Sequence, residues 1–112
     1  IAEGEFSSDV TPRGKSGPGA AHGARQGTND YTGWFAGDGD MRGDYFGYDG
    51  PCPPWNDEIR HRYAFTVFAL DVERLPLDGK FGGQQVRDAM AGHILGQAAI
   101  TGVYTLNPDV KL

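Results

Sequence analysis

Residues 61–72 read HRYAFTVFALDV, from His61 to Val72. In an extended chain successive side chains point to opposite faces. Tyr63, Phe65, Val67 and Ala69 therefore share one face, and Ala64, Thr66, Phe68 and Leu70 share the other. Both sets are largely apolar, a pattern that predicts a central strand covered on both sides. His61 and Tyr63 stand two residues apart, on one face at the start of this strand. Arg62 points to the other face.

The ten residues before the strand read PCPPWNDEIR. Pro51, Pro53 and Pro54 fix φ and remove backbone donors, which imposes an extended path and prevents a helix from starting before Pro54. A rigid segment of this kind serves equally well as the wall of a site or as a plain lead into a strand. After the strand, residues 82–97 carry Val86, Ala89, Met90, His93 and Ile94 at helical spacing. Gly92 weakens that helix and Gly96 is expected to end it. Residues 97–106, QAAITGVYTL, alternate as a closing strand. The order of loop, strands, helix and strand predicts a mostly β arrangement with one C-terminal helix.

Toward the N-terminus, residues 28–50 interleave Tyr31, Trp34, Phe35, Tyr45, Phe46 and Tyr48 with Gly and Asp. Asp38-Gly39-Asp40 begins like a calcium loop, but Arg42 takes the next ligand position and no glutamate follows at 49. A polar turn is the better reading. Thr11 to Gly27, TPRGKSGPGAAHGARQG, lacks large apolar residues and reads as a surface loop. It is basic, yet G-x-x-x-x-G-K-[ST] is absent, so a phosphate-cradling loop is the weaker reading. Ile1 to Phe6 is not a signal peptide, and a first residue other than Met points to a processed product or a fragment.

The 112 residues and 12.1 kDa bound the chain to one domain or part of one. Glycine is abundant, 18 residues, which favours turns over long helices. The formal net charge of −5 makes the chain a poor general nucleic-acid binder, because it would repel phosphate backbones. No apolar run approaches the ~20 residues of a membrane-spanning helix. Cys52 is the single cysteine, so there is no internal disulfide framework. A Cys52–His61 thiolate–imidazole pair is not demanded by the spacing. One cysteine and three scattered histidines make no zinc set, and no cofactor motif appears. His93 reads as a packed histidine on the apolar side of its helix. His61 with Tyr63, two donors on one face, is the best candidate for anion contact.

GYDGPCPP, then HRYAFTVFALDVERL, then GHILGQAAITGVY, occur here in that order. Together with Asn29-Asp30-Tyr31 they resemble the phosphatidylethanolamine-binding protein family, also called Raf-kinase-inhibitor-like, and its bacterial branch in particular. The resemblance covers roughly residues 28–105. It implies an antiparallel β fold of two packed sheets with a small anion pocket at one end. The pocket residues it carries over are Gly50, Pro51, Pro53, Pro54, His61 and Tyr63, with no metal and no cofactor. The domain organisation expected is a Gly/Pro-rich surface loop over 1–27 and the C-terminal portion of the domain over 28–112.

The family's Asp-Pro-Asp-x-Pro loop and His-Trp strand have no match in this chain; His22 lies in the glycine-rich loop with no Trp after it. The resemblance therefore implies that an N-terminal fragment of the same domain, as a separate chain, is a partner, with homo-oligomerisation as the alternative cover for open sheet edges. Residues 32–47 look like an insertion, in which Trp34, Phe35 and Phe46 would lid the pocket or form a contact. The function implied is non-enzymatic binding of a small anion or phospholipid head group. The alternatives are a kinase or protease inhibitor working through the 32–47 segment, and an enzyme using His61 as general base near Cys52. The favoured compartment is the cytoplasm.

Overall fold

The computed structural model describes residues 24–48 and 50–112. The chain divides into two compact units. One comprises Ile1–Asp49 with Leu75–Ala89, the other Gly50–Arg74 with Met90–Leu112. The elements in chain order are α1 (Tyr31–Trp34), β1 (His61–Leu70), α2 (Gly83–Met90) and β2 (Ile94–Tyr104). Strand outweighs helix and the sheet is antiparallel, as the sequence predicts.

In the first unit, residues 24–28 are tied to two other segments. Gly47 N donates to Gly27 O at 3.1 Å, Asn29 N to Tyr45 O at 2.8 Å, and Thr28 N to Phe81 O at 2.7 Å. These bonds bury Phe46 and Phe81. The Arg25 guanidinium lies 5.6 Å from the Phe81 ring centre, and its Nη2 donates to Leu75 O at 3.1 Å. Tyr31, Trp34, Phe35 and Tyr45 form an edge-to-face and tilted cluster with centroids 5.4–6.0 Å apart. The turn at 38–41 is closed by the Asp38 carboxylate, which accepts from Asp40 N at 2.8 Å and Met41 N at 2.9 Å. That is the Asx geometry expected of a polar turn. The remainder of the glycine-rich segment, residues 1–23, lies outside the described residues, and His22 with it.

Helix α2 is shorter than the periodicity predicts. It begins where the Gly82 carbonyl accepts from Val86 N and the Gln85 carboxamide oxygen accepts from Gly82 N, the back-reaching half of a capping box. It ends six residues before Gly96. Gly92 takes φ 80°, and His93 N donates to Met90 O at 2.9 Å. This left-handed exit terminates the helix, so His93 is not a helix residue, and Ile94 and Leu95 join β2. Among the described residues no helix is long and apolar enough to cross a membrane.

In the second unit, β1 and β2 form a two-stranded ribbon with His61 opposite Tyr104, Tyr63 opposite Gly102, Phe65 opposite Ile100 and Val67 opposite Ala98. A bulge between Ala69 and Leu70 adds Leu95 to the β2 side. The far end is clasped: Asp71 N donates to His93 O at 2.9 Å, and His93 Nδ1 meets Asp71 Oδ1 at 2.7 Å. The expectation that β1 is covered on both sides needs correction. Among the described residues its one strand neighbour is β2, and Phe65, Val67 and Ile100 on one face are 49%, 67% and 73% exposed. The apolar character of both faces of β1 fits a strand with more neighbours than these residues supply.

Gly92→Ala places a Cβ at φ 80°, a conformation costing an L side chain about 1–2 kcal/mol. Denaturant unfolding should register a loss of that size. Gly33→Ala, in α1 with open space around the new methyl, should register none.

Candidate functional site

All six residues that the sequence singles out lie in the second unit. Gly50 adopts φ 85°, a left-handed turn that swings the chain into the proline segment. Pro53 is buried, whereas Pro51 and Pro54 are exposed. Cys52 is exposed rather than packed. His61 and Tyr63 are both half-buried and share one face of β1, and the register sets Tyr104 directly across from His61.

The structure adds a residue that sequence reasoning missed. His61 Nε2 and Asp57 Oδ2 are 2.7 Å apart. Asp57 reaches this position because the chain turns back after the prolines, with Asp57 N donating to Pro54 O at 3.2 Å. The turn is also held from the other end of the unit. Asn107 Nδ2 donates to Asp57 O at 3.0 Å, and Asn107 is itself fixed by Thr105 Oγ1, Asp109 N and Val110 N. The only signal in the sequence is an aspartate four positions before the histidine. That spacing is meaningful on a helix, but here the prolines exclude one, so the pairing depends on the turn.

The hydrogen bond from His61 is the main reason that the Asp57 carboxyl titrates below its ordinary value of 3.8; the neighbouring backbone N–H groups of Ile59 and Glu58 act in the same direction. An ionised Asp57 accepts from Nε2–H and so fixes the ring. Nδ1 is then an acceptor in the neutral imidazole and a donor in the imidazolium. With the Tyr63 hydroxyl on the same face, the arrangement can present two donors to an anion when His61 is protonated. Among the described residues no group of three His, Cys, Asp or Glu could hold a metal ion.

Comparison with known proteins adds three findings. A family profile described as phosphatidylethanolamine-binding protein matches residues 5–105. A UPF0098 protein of Aquifex aeolicus is 42% identical over 82 residues, covering 73% of this chain and 40% of the relative. The UPF0098 protein YbcL of Escherichia coli is 37% identical over 84 residues, covering 75% and 44%, and YbhB of the same organism is 42% identical over 59 residues, covering 53% and 36%. The chain thus spans less than half the length of these curated relatives. No solved structure matches it at a significant level.

The folded-state pKa of Asp57 lies below the unfolded value of 3.8. Between the two, the unfolded carboxyl binds the proton and the folded one does not, so stability rises with pH there. The contribution is complete above the unfolded value and lost as pH falls through the folded one. Thermal midpoints measured down the acid range should therefore fall more steeply for the wild type than for Asp57→Asn.

Proposed function

The chain belongs to the phosphatidylethanolamine-binding protein family, on its bacterial YbhB and YbcL branch, and we propose that it acts as a non-enzymatic binding protein for a small anion of the phosphate or phosphoethanolamine class. The observation that carries this reading is the Asp57–His61 hydrogen bond, which commits Nε2 and leaves Nδ1 for a ligand. Tyr63 supplies the second donor from the same face. Gly50, Pro51, Pro53 and Pro54 form the wall, because the positive-φ turn at Gly50 and the stiff prolines hold the backbone in place without side-chain help. Asp57 positions His61 by accepting its Nε2–H, which holds the ring in one orientation.

The same reading assigns a partner. Phe65, Val67 and Ile100 stand exposed on the face that also carries His61 and Tyr63. A two-stranded ribbon is marginal by itself, and full burial of each such side chain is worth about 1.5–3 kcal/mol. The remaining strands of the fold, which the greater length of the relatives would supply, are the cover that suits this face, and they complete the pocket.

Calorimetric titration with inorganic phosphate and with phosphoethanolamine tests the pocket. Affinity should fall as pH rises and the His61 imidazolium deprotonates, and His61→Ala should weaken binding about tenfold, the usual worth of a hydrogen bond to a charged group. Tight binding indifferent to that substitution would overturn the assignment. Native mass spectrometry tests the partner. Residues 1–112 should travel with further polypeptide that leaves only on denaturation; a lone 12.1 kDa species under native conditions would remove the proposed cover.

A further inference from the structure

The opposite face of the ribbon carries a second feature that the proposed pocket does not use. A groove of about 520 Å³ is lined by Arg60, Arg62, Thr101 and Val103, with Ile59 and Val110 as further aliphatic walls and Glu58 as its acidic member. Arg62 and Val103 are direct cross-strand partners, so their side chains emerge on one face. That face is the one turned away from His61 and Tyr63, because strand neighbours alternate. Arg60 stands two positions before Arg62 along the chain entering β1 and lines the same groove.

Neither guanidinium forms an ion pair or hydrogen bond with another described residue, and neither is matched by Glu58. A guanidinium is a fork of fixed donors that pairs bidentately with a carboxylate or a phosphate, so the charge of the lining decides between them. Thr101 offers a hydroxyl donor beside them. The charge of the lining is two arginines against one glutamate, a net of one positive charge. One carboxylate balances that; a dianion would meet Glu58 uncompensated. Ile59, Val103 and Val110 leave the rest of the space apolar. The volume falls in the range of about 300–1,000 Å³ typical of small-ligand sites.

We infer that this groove is a binding site for a monocarboxylate bearing an aliphatic body, with Arg60, Arg62 and Thr101 on the carboxylate and Ile59, Val103 and Val110 around the hydrocarbon. The site lies on the opposite face of the ribbon from the pocket at His61.

The test is an amide-resolved NMR titration of the intact protein with 3-methylbutanoate, read at Thr101 and Val103. The neutral isostere 3-methylbutanamide and inorganic phosphate are run alongside. Saturable shifts with the carboxylate are expected, with little response to the amide or to phosphate at those residues. Arg60→Gln and Arg62→Gln should each weaken the carboxylate about tenfold. Arg60 precedes the strand, so its variant decides the matter should Arg62→Gln perturb the ribbon. The assignment is overturned by absence of saturable shifts, by equal binding of the amide, by phosphate binding as tightly at Thr101 and Val103, or by a carboxylate titration that Arg60→Gln leaves unmoved.

Discussion

The register of β1 against β2 is the constraint on which the chemistry of this chain depends. His61 opposite Tyr104 and Arg62 opposite Val103 place the imidazole and the guanidinium on opposite faces of one ribbon. A slip of one residue would exchange the faces and bring Arg62 beside Tyr63's surroundings while carrying His61 away. The register is pinned at both ends by groups outside the ladder itself. At one end the Asp57–His61 contact and the Asn107 bond to Asp57 O tie the lead-in to the C-terminal tail. At the other the Asp71–His93 clasp closes the strands where the bulge has already interrupted them.

Much of this was legible in the residues. HRYAFTVFAL announces its strand through a short apolar run of β-favouring side chains on both faces, and the His61–Tyr63 pairing on one face follows from a period of two. The extended path of residues 51–54 followed from three prolines. The helix was legible in kind but not in extent. Val86, Ala89, Met90, His93 and Ile94 satisfy a helical period, yet one left-handed residue, Gly92, outweighs the periodicity of everything after it. Apolar spacing records which residues seek cover, while backbone torsion decides where an element stops.

Asp57 was not legible for a different reason. Its contact with His61 is short in sequence but is set by a turn whose geometry is supported from Asn107, fifty positions away. No local pattern announces such support. The same holds for the groove at Arg60 and Arg62. An arginine at a strand start reads as solvated charge until the register shows which aliphatic residue lies across from it. Exposure of Phe65 and Val67 escaped for a third reason: alternation describes the environment a strand is suited to, and the surroundings supplied by these 112 residues are a separate matter.

The excursion between the strands has a consequence for how the ribbon comes to exist. Every cross-strand pair joins a residue before Asp71 to one after His93, and the intervening chain, Leu75–Ala89, belongs to the other compact unit. β1 and β2 therefore cannot zip from a tight turn as a local hairpin does. Their pairing must close a long loop before any ladder bond rewards it, an entropic barrier that slows folding and leaves two apolar strands unpaired meanwhile.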